Sequence, residues 1–492
     1  MAYDRNGRDA ALKALTRRGL IAAAAGTAAG LIAAPALGAP RRLKPSDRVN
    51  IAVIGAGGKG ADNMSRLTSQ NIVATADVDY DHVLHALQDR QGKINPLRQS
   101  LKDAYDKAER FTDYRRMLDA RKDIDAALIA TPDHHHAVAA RMAMERGLHV
   151  FVQKPLTHTI EESRKLDALA RANPRMITQM GNQGHSGDDG RRVVELIRAG
   201  VIGPVREAHV WTNRPVWPQS PSIMAPPDGD FPVPAHVHWD EWIGPAPMRP
   251  WKMGPFKDKK GELKPTYHPF VWRGWWDFGT GALGDMGCHT ANMPFMALKL
   301  GYPSSVVAEC GDLNPQTYPS WATIKYEFPA REDLPPVKLT WWEGHKPDGK
   351  KNQPPDELFQ GQKINDSGSL VIGDKGTMYS PHDYGGKWML LPEEQYKGFK
   401  DPEQTLPRNP EGGDEGQKME WIAAAKGGPP AMANFDYAGK LTEFLLLGNI
   451  AIRASGVAPG KKLEWNGEDM KFPNFPEAEK WLSYEYREGW KL

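Results

Sequence analysis

No stretch of this chain constrains its fold more than Asn50-Ile51-Ala52-Val53-Ile54-Gly55-Ala56-Gly57-Gly58-Lys59-Gly60. A short apolar run of strand type enters a GxGxxG turn, and residues compatible with a helix follow. Each glycine answers a separate steric demand. Gly55 permits the tight turn, Gly57 lets the backbone approach a pyrophosphate, and Gly60 lets helix and strand pack closely. The helix start, with Gly58 and Lys59, turns backbone N–H groups toward the phosphates. Asp77 closes the apolar run 72–76 about 20 residues later, where a carboxylate meets the adenine ribose hydroxyls. With Asp79 close behind, the pocket is hostile to a 2′-phosphate and favours NAD over NADP. The competing reading is a structural Gly-rich turn without a nucleotide.

The surrounding pattern fits. Residues 45–180 alternate short apolar runs (50–54, 72–76, 126–130, 148–152 and 176–180) with helical stretches. That order predicts a doubly wound parallel sheet covered by helices, a Rossmann domain over 45–180. Beyond residue 181 the character changes. Ala322, Ile324, Tyr326 and Phe328 alternate with polar residues, as do Val337, Leu339 and Trp341, and Gly373-Asp374-Lys375-Gly376 reads as a turn. Period-two patterning predicts an α+β domain over 181–462 with a large, mostly antiparallel open sheet, serving substrate binding and oligomerisation. Residues 211–276 read as a long structured insertion rich in Pro and Trp, 437–453 as a helix packed on the core, and 463–492 as an irregular wrap. The fold class is therefore α/β.

The N-terminus carries its own signal. Thr16-Arg17-Arg18-Gly19-Leu20-Ile21 opens an Ala/Gly run ending in small residues near Ala36 and Ala39. Residues 1–39 read as a twin-arginine export signal, which predicts a periplasmic or otherwise exported protein and makes the translocation machinery a partner. The alternative is an uncleaved membrane anchor, but Thr27, Pro35 and the small residues that follow argue for removal. Residues 1–39 hold five basic and two acidic side chains, which leaves 58 basic against 59 acidic beyond them. That balance gives no electrostatic reason to expect nucleic acid as a partner. The two cysteines, Cys288 and Cys310, make no disulfide framework and read as buried thiols.

Three more segments carry chemistry: Ala130-Thr131-Pro132-Asp133-His134-His135-His136, Val152-Gln153-Lys154-Pro155 and Gly284-Asp285-Met286-Gly287-Cys288-His289. Together with the Gly-rich turn, and in this order, they resemble the glucose–fructose oxidoreductase, inositol dehydrogenase and rhizopine catabolism (Gfo/Idh/MocA) family. The resemblance implies that Lys154, Asp285 and His289 surround the nicotinamide and a substrate hydroxyl. It places Thr131, Pro132, His136, Gln153 and Lys154 along the cofactor, and Asn182 and His185 near the substrate or nicotinamide. The residue types suit the chemistry. Oxidation of a secondary alcohol needs a base, here His289, typically worth about 10²–10⁴ in rate. Asp285, four residues earlier on the same helical face, orients it, and Lys154 stabilises developing alkoxide charge. Two positions depart from the family: Gln153 where Glu is usual, and Asn292 where Asp is usual. Consecutive His134, His135 and His136 at a helix start point in different directions, so no metal site is expected.

Eight of the sixteen Trp fall within 211–276, and flat aromatic faces suit the C–H faces of sugars. Arg214, Trp217 and Trp275 are the expected substrate contacts, against the plainer reading that these Trp pack the insertion. The chain thus reads as an NAD(P)-dependent oxidoreductase acting on CH–OH groups of a sugar, sugar alcohol or glycoside. Its NAD is expected to be tightly held, since an exported protein meets little free nucleotide, and it is expected to form a homo-oligomer, dimer or tetramer. The alternatives are a redox-assisted glycoside-cleaving enzyme and a non-catalytic nucleotide/sugar sensor.

Overall fold

A computed structural model describes residues 38–88 and 92–492. The expected export signal, apart from its last two residues, lies outside the described residues. Among the described residues no helix is long and apolar enough to cross a membrane.

The apolar runs become a six-stranded parallel sheet: β1 (Asn50–Ile54), β2 (Asn71–Ala76), β3 (Glu109–Phe111), β4 (Ala126–Ile129), β5 (His149–Gln153) and β6 (Thr178–Gly181). Their order is β3-β2-β1-β4-β5-β6. Central strands covered on both faces must be apolar throughout, and Ile51, Ala52 and Val53 are wholly buried. Strand order reverses between β1 and β4, and such a switch point opens a crevice at the carboxyl ends of the strands. β3 has no apolar run to announce it. It is a three-residue edge strand whose Glu109 and Arg110 are exposed, a charged edge that resists further pairing.

The second sheet has eight strands: β7 (Val205–Thr212), β10 (Ser305–Cys310), β11 (Trp321–Phe328), β12 (Val337–Gly344), β13 (Gly368–Gly373), β14 (Thr377–Ser380), β15 (Met389–Leu391) and β16 (Leu463–Glu464). β8 (Met253–Lys257) and β9 (Leu263–Pro265) form a separate ribbon in the insertion. All neighbours in the large sheet are antiparallel except β7 and β12. One face is covered by the helix Phe435–Ser455, whose Phe444 ring lies 5.0 Å from Tyr326. The other face is less open than the alternation suggests. Phe359 packs there with Trp211, Leu370 and Tyr379, and the Trp211 indole donates to the Asn365 carbonyl at 2.8 Å. Lys325 and Lys338 remain exposed.

The insertion builds an aromatic core of its own. Trp239 and Trp242 stack at 4.6 Å, and Trp275 is completely buried beside Tyr267. Five of its Trp residues, Trp239, Trp242, Trp251, Trp272 and Trp275, belong to this core. Of residues 463–492, expected to be an irregular wrap, Leu463–Glu464 form β16 and Pro476–Trp481 a 3-10 turn.

The Gly-rich turn is sterically tight. Gly55 has φ +79°, and a Cβ on Gly60 would lie 1.8 Å from the Gly55 carbonyl oxygen. Gly60→Ala should therefore cost at least about 2 kcal/mol of unfolding free energy, while Gly301→Ala should stay within about 0.5 kcal/mol. A Cβ on Gly301 would meet nothing within 4 Å. Denaturant melts of both variants check this.

Candidate active site

A cleft of about 380 Å³ opens at the carboxyl ends of the parallel strands. Its floor is the Gly-rich turn, with Thr131 and Pro132 after β4, Gln153 at the end of β5 and Lys154 just after it. The insertion roofs it with Trp242, His268 and Arg273, and the C-terminal wrap contributes Trp490.

At one end the Asp77 carboxylate accepts the N–H groups of Ala56 and Gly57 at 2.7 and 2.9 Å and that of Asp79 at 3.0 Å. Burial raises its pKa, and these N–H groups oppose the rise. Asp79 caps the helix Tyr80–His85 and pairs with His268 at 2.7 Å. Burial alone would raise the Asp79 carboxyl, but the His268 hydrogen bond and the His82 N–H bring it below its ordinary value. The Thr131 hydroxyl is buried without a partner. A backbone cradle, a carboxylate acceptor and an unanswered hydroxyl fit a dinucleotide. Lys59 is turned aside, bonded to Asp62 and to Asp414 at 3.1 Å on the helix Gly413–Ala425.

The opposite end holds the reactive side chains. Lys154 Nζ donates to Asp285 Oδ1 and to the Asp285 carbonyl, each at 2.7 Å. Arg273 Nε lies 3.4 Å from the same carboxylate and Arg214 Nε 3.9 Å. Burial alone would raise the Asp285 pKa, but Lys154 and Arg273 outweigh it and hold the carboxyl well below the usual range. His289 follows one turn later on the helix Gly281–Thr290, so both residues share a face. It does not line the cleft itself. Its ring is 3% exposed, its Nδ1 is buried without a partner, and the Tyr384 ring meets it edge-on at 4.7 Å. Burial, reinforced by the Lys154 charge, pushes its pKa well below the ordinary value. The arrangement supplies an ammonium donor, an ionised carboxylate and a neutral imidazole.

Other expected residues lie elsewhere. His136 does not line the cleft: its ring nitrogens sit 2.7 Å from the Pro155 carbonyl and 2.9 Å from that of Thr131, tying two cleft loops together from behind. His134 and His135 likewise face the Trp242 carbonyl, at 3.1 and 2.9 Å. Asn182 and His185 are buried against Asn292, whose Oδ1 lies 3.0 Å from Asn182 Nδ2, 2.9 Å from His185 Nδ1 and 2.8 Å from the Tyr437 hydroxyl. Trp217 and Trp275 are corrections. Trp217 is 4% exposed with its indole N–H on Gln219, and Trp275 is fully buried, so neither offers a face to a substrate. Of the expected substrate contacts, Arg214 is the one that reaches Asp285. Gln153 lines the cleft with its Nε2 unpaired. Both cysteines are free, Cys288 buried and Cys310 partly so.

Sequence reasoning missed Arg273, Tyr384 and Trp490, which reach the site from an irregular insertion, a sheet loop and the C-terminal wrap. It also missed Asp133. This residue accepts the N–H of Thr280 at 3.0 Å and its hydroxyl at 2.6 Å, and burial raises its pKa to about 6. Because the folded pKa exceeds the unfolded one, the stability linked to Asp133 is complete below the unfolded value near 4 and is lost as pH rises through about 6. Wild type should therefore lose up to roughly 3 kcal/mol relative to Asp133→Asn between pH 4 and pH 7. Parallel denaturant melts across that window check the sign.

Comparison with known proteins agrees with this geometry. Residues 49–181 match the Gfo/Idh/MocA oxidoreductase family, NAD-binding Rossmann fold, and residues 228–333 match the C-terminal alpha/beta domain of the same family. Both matched segments point to the same oxidoreductase family. It is 34% identical over 167 residues to a glycosyl hydrolase family 109 protein of Solibacter usitatus, covering 33% of this chain and 36% of that one. It is 28% identical over 210 residues to inositol 2-dehydrogenase 3 of Saccharopolyspora erythraea, covering 41% and 57%. The chain thus spans about a third to just over half of these relatives' lengths. The WlbA dehydrogenase of Bordetella pertussis, solved with NADH and UDP-GlcNAcA, shares the fold with a TM-score of 0.55 at 14% identity, covering 85% of this chain and 99% of that one.

Proposed function

We propose that this protein is an NAD-dependent oxidoreductase of the Gfo/Idh/MocA type, acting on a secondary hydroxyl of a sugar, sugar alcohol or glycoside. The observation that carries the reading is the Lys154–Asp285 pair at the cleft wall, with the unpartnered Nδ1 of His289 one helical turn away. Gly55, Gly57, Gly58 and Thr131 would hold NAD, with Asp77 on the adenine ribose. When bound, the nicotinamide supplies the two-electron acceptor or donor. The chain's own residues do the rest. Lys154 donates a hydrogen bond to the substrate oxygen and steadies its negative charge as the hydroxyl proton leaves. His289, kept neutral by burial, takes that proton at a ring nitrogen. Asp285 stays ionised and holds Lys154 in place. Lys154 and Arg273 keep that carboxylate from protonating, and the roof of Trp242 and Trp490 excludes water.

His289→Ala should lower turnover by at least about 100-fold with NAD affinity near normal. Unchanged turnover on sugars that the wild type oxidises would remove His289 from the mechanism.

The likeness to glycosyl hydrolase family 109 proteins favours one second reading, in which oxidation and re-reduction of a glycoside flank an elimination at this same site. Release of the aglycone from aryl glycosides, with no net cofactor reduction, distinguishes it.

The twin-arginine pattern at 16–21 supports export of the folded protein with its cofactor inside, and a cofactor that cannot exchange has to be reset in place. Denaturing protein purified without added nucleotide should release about one NAD(H) per chain. Protein recovered cofactor-free yet fully active on added NAD would contradict this.

A further inference from the structure

A second cavity of about 230 Å³ lies between the helix Phe435–Ser455, the C-terminal wrap and the loop leading into the helix Gly281–Thr290. It shares no lining residue with the cleft. Its volume is well above the roughly 10–15 Å³ that one water requires.

Three of its wall residues carry polar groups that the protein leaves unanswered. Arg453 stacks its guanidinium over Trp276 at 4.3 Å and feels the nearby Tyr318 and Asp277, but among the described residues it makes no side-chain hydrogen bond or ion pair. Two acids line the cavity, Asp277 and Glu485, and Asp277 is already held by Arg249 at 2.7 Å. His158 Nε2 lies 3.1 Å from the Gly279 carbonyl, which can only accept, so Nε2 carries the proton. Burial lowers the His158 pKa and keeps the ring neutral. Its Nδ1 is therefore a lone-pair acceptor, and it is buried without a partner. Asn449 Nδ2 donates to the Thr280 carbonyl at 2.9 Å, and its Oδ1 is also buried without a partner.

Two unanswered acceptors and one unanswered donor define what could fill the space. A carboxylate or phosphate ion only accepts, so it would serve Arg453 and leave both acceptors bare. A hydroxyl accepts and donates, and a ring bearing several hydroxyls also presents C–H faces to Trp276 and Trp481. We propose that this cavity is a second binding site for a monosaccharide or cyclic polyol, which accepts from Arg453 and donates to His158 Nδ1 and Asn449 Oδ1. Occupancy would be felt at the reactive side chains. His158 and Tyr318 hold the Gly279 carbonyl and Asn449 holds that of Thr280, immediately before the helix that carries Asp285 and His289.

The test uses the full chain and labelled D-glucose and myo-inositol as probes, with inorganic phosphate and acetate as the anionic comparison. Equilibrium dialysis should show a sugar or polyol component weakened at least about tenfold by Arg453→Met and by Asn449→Leu, with NAD affinity unchanged. A crystal soaked in the binding probe should show a ring between Arg453 and Asn449, which keeps the proposal testable if a variant misfolds. Sugar and polyol binding identical in wild type and both variants would overturn it. So would Arg453-dependent binding of phosphate or acetate alone, or a cavity holding only water after the soak.

Discussion

The segment from Phe278 to Asp285 is fastened to the parallel-sheet domain by a row of buried polar contacts, and the geometry of the site depends on that row. His134 donates its backbone N–H to the Phe278 carbonyl at 3.3 Å, and His158 meets the Gly279 carbonyl at 3.1 Å. Asp133 takes both donors of Thr280, and Lys154 takes Asp285. Leaving any one of these buried groups unpaired would cost about 1–3 kcal/mol, and more where a charge is involved. The start of the helix Gly281–Thr290 therefore cannot drift from the ends of β4 and β5 without losing several contacts together. Asp285 is thereby held against the wall of a cleft whose floor belongs to the other sheet.

The electrostatics follow from that placement. Removing one partner of a buried ion pair typically costs about 3–5 kcal/mol, because the other charge is left stranded. Residue 153 is an amide here, so the carboxylate facing Lys154 comes from Asp285 across the domain boundary. Lys154, Arg273 and Arg214 surround Asp285 with positive charge. The same local field, with burial, disfavours a proton on His289. One carboxylate is kept charged and one imidazole is kept neutral within a single helical turn.

Much of this was legible in the sequence, for identifiable reasons. β1, β4 and β5 are buried on both faces and so are mostly apolar, whereas β6, Thr178–Gly181, is buried but half polar. Gly55 and Gly60 answer steric demands that no other residue meets. Lys154 and Asp285 stood in motifs that resemble a known family. The failures are equally physical. β3 is short and charged, so periodicity passes over it. Trp217 and Trp275 look like a sugar platform in composition but fill the core of an insertion with few regular elements to pack. Asn182 and His185, expected near the substrate or nicotinamide, serve a buried network around Asn292. Arg273, Tyr384 and Trp490 come from segments far apart in sequence, and only the tertiary fold brings Arg273 and Trp490 to the cleft and Tyr384 against His289.

The account rests on the ionised Asp285 carboxylate that holds Lys154 beside the reacting hydroxyl. Its most direct test is a rapid-mixing measurement of nicotinamide reduction in NAD-loaded protein given a panel of sugars and polyols, wild type beside Asp285→Asn. The account predicts reduction by at least one member of the panel in wild type, slowed at least about 100-fold in Asp285→Asn with NAD still bound. Reduction at the wild-type rate in Asp285→Asn would contradict it.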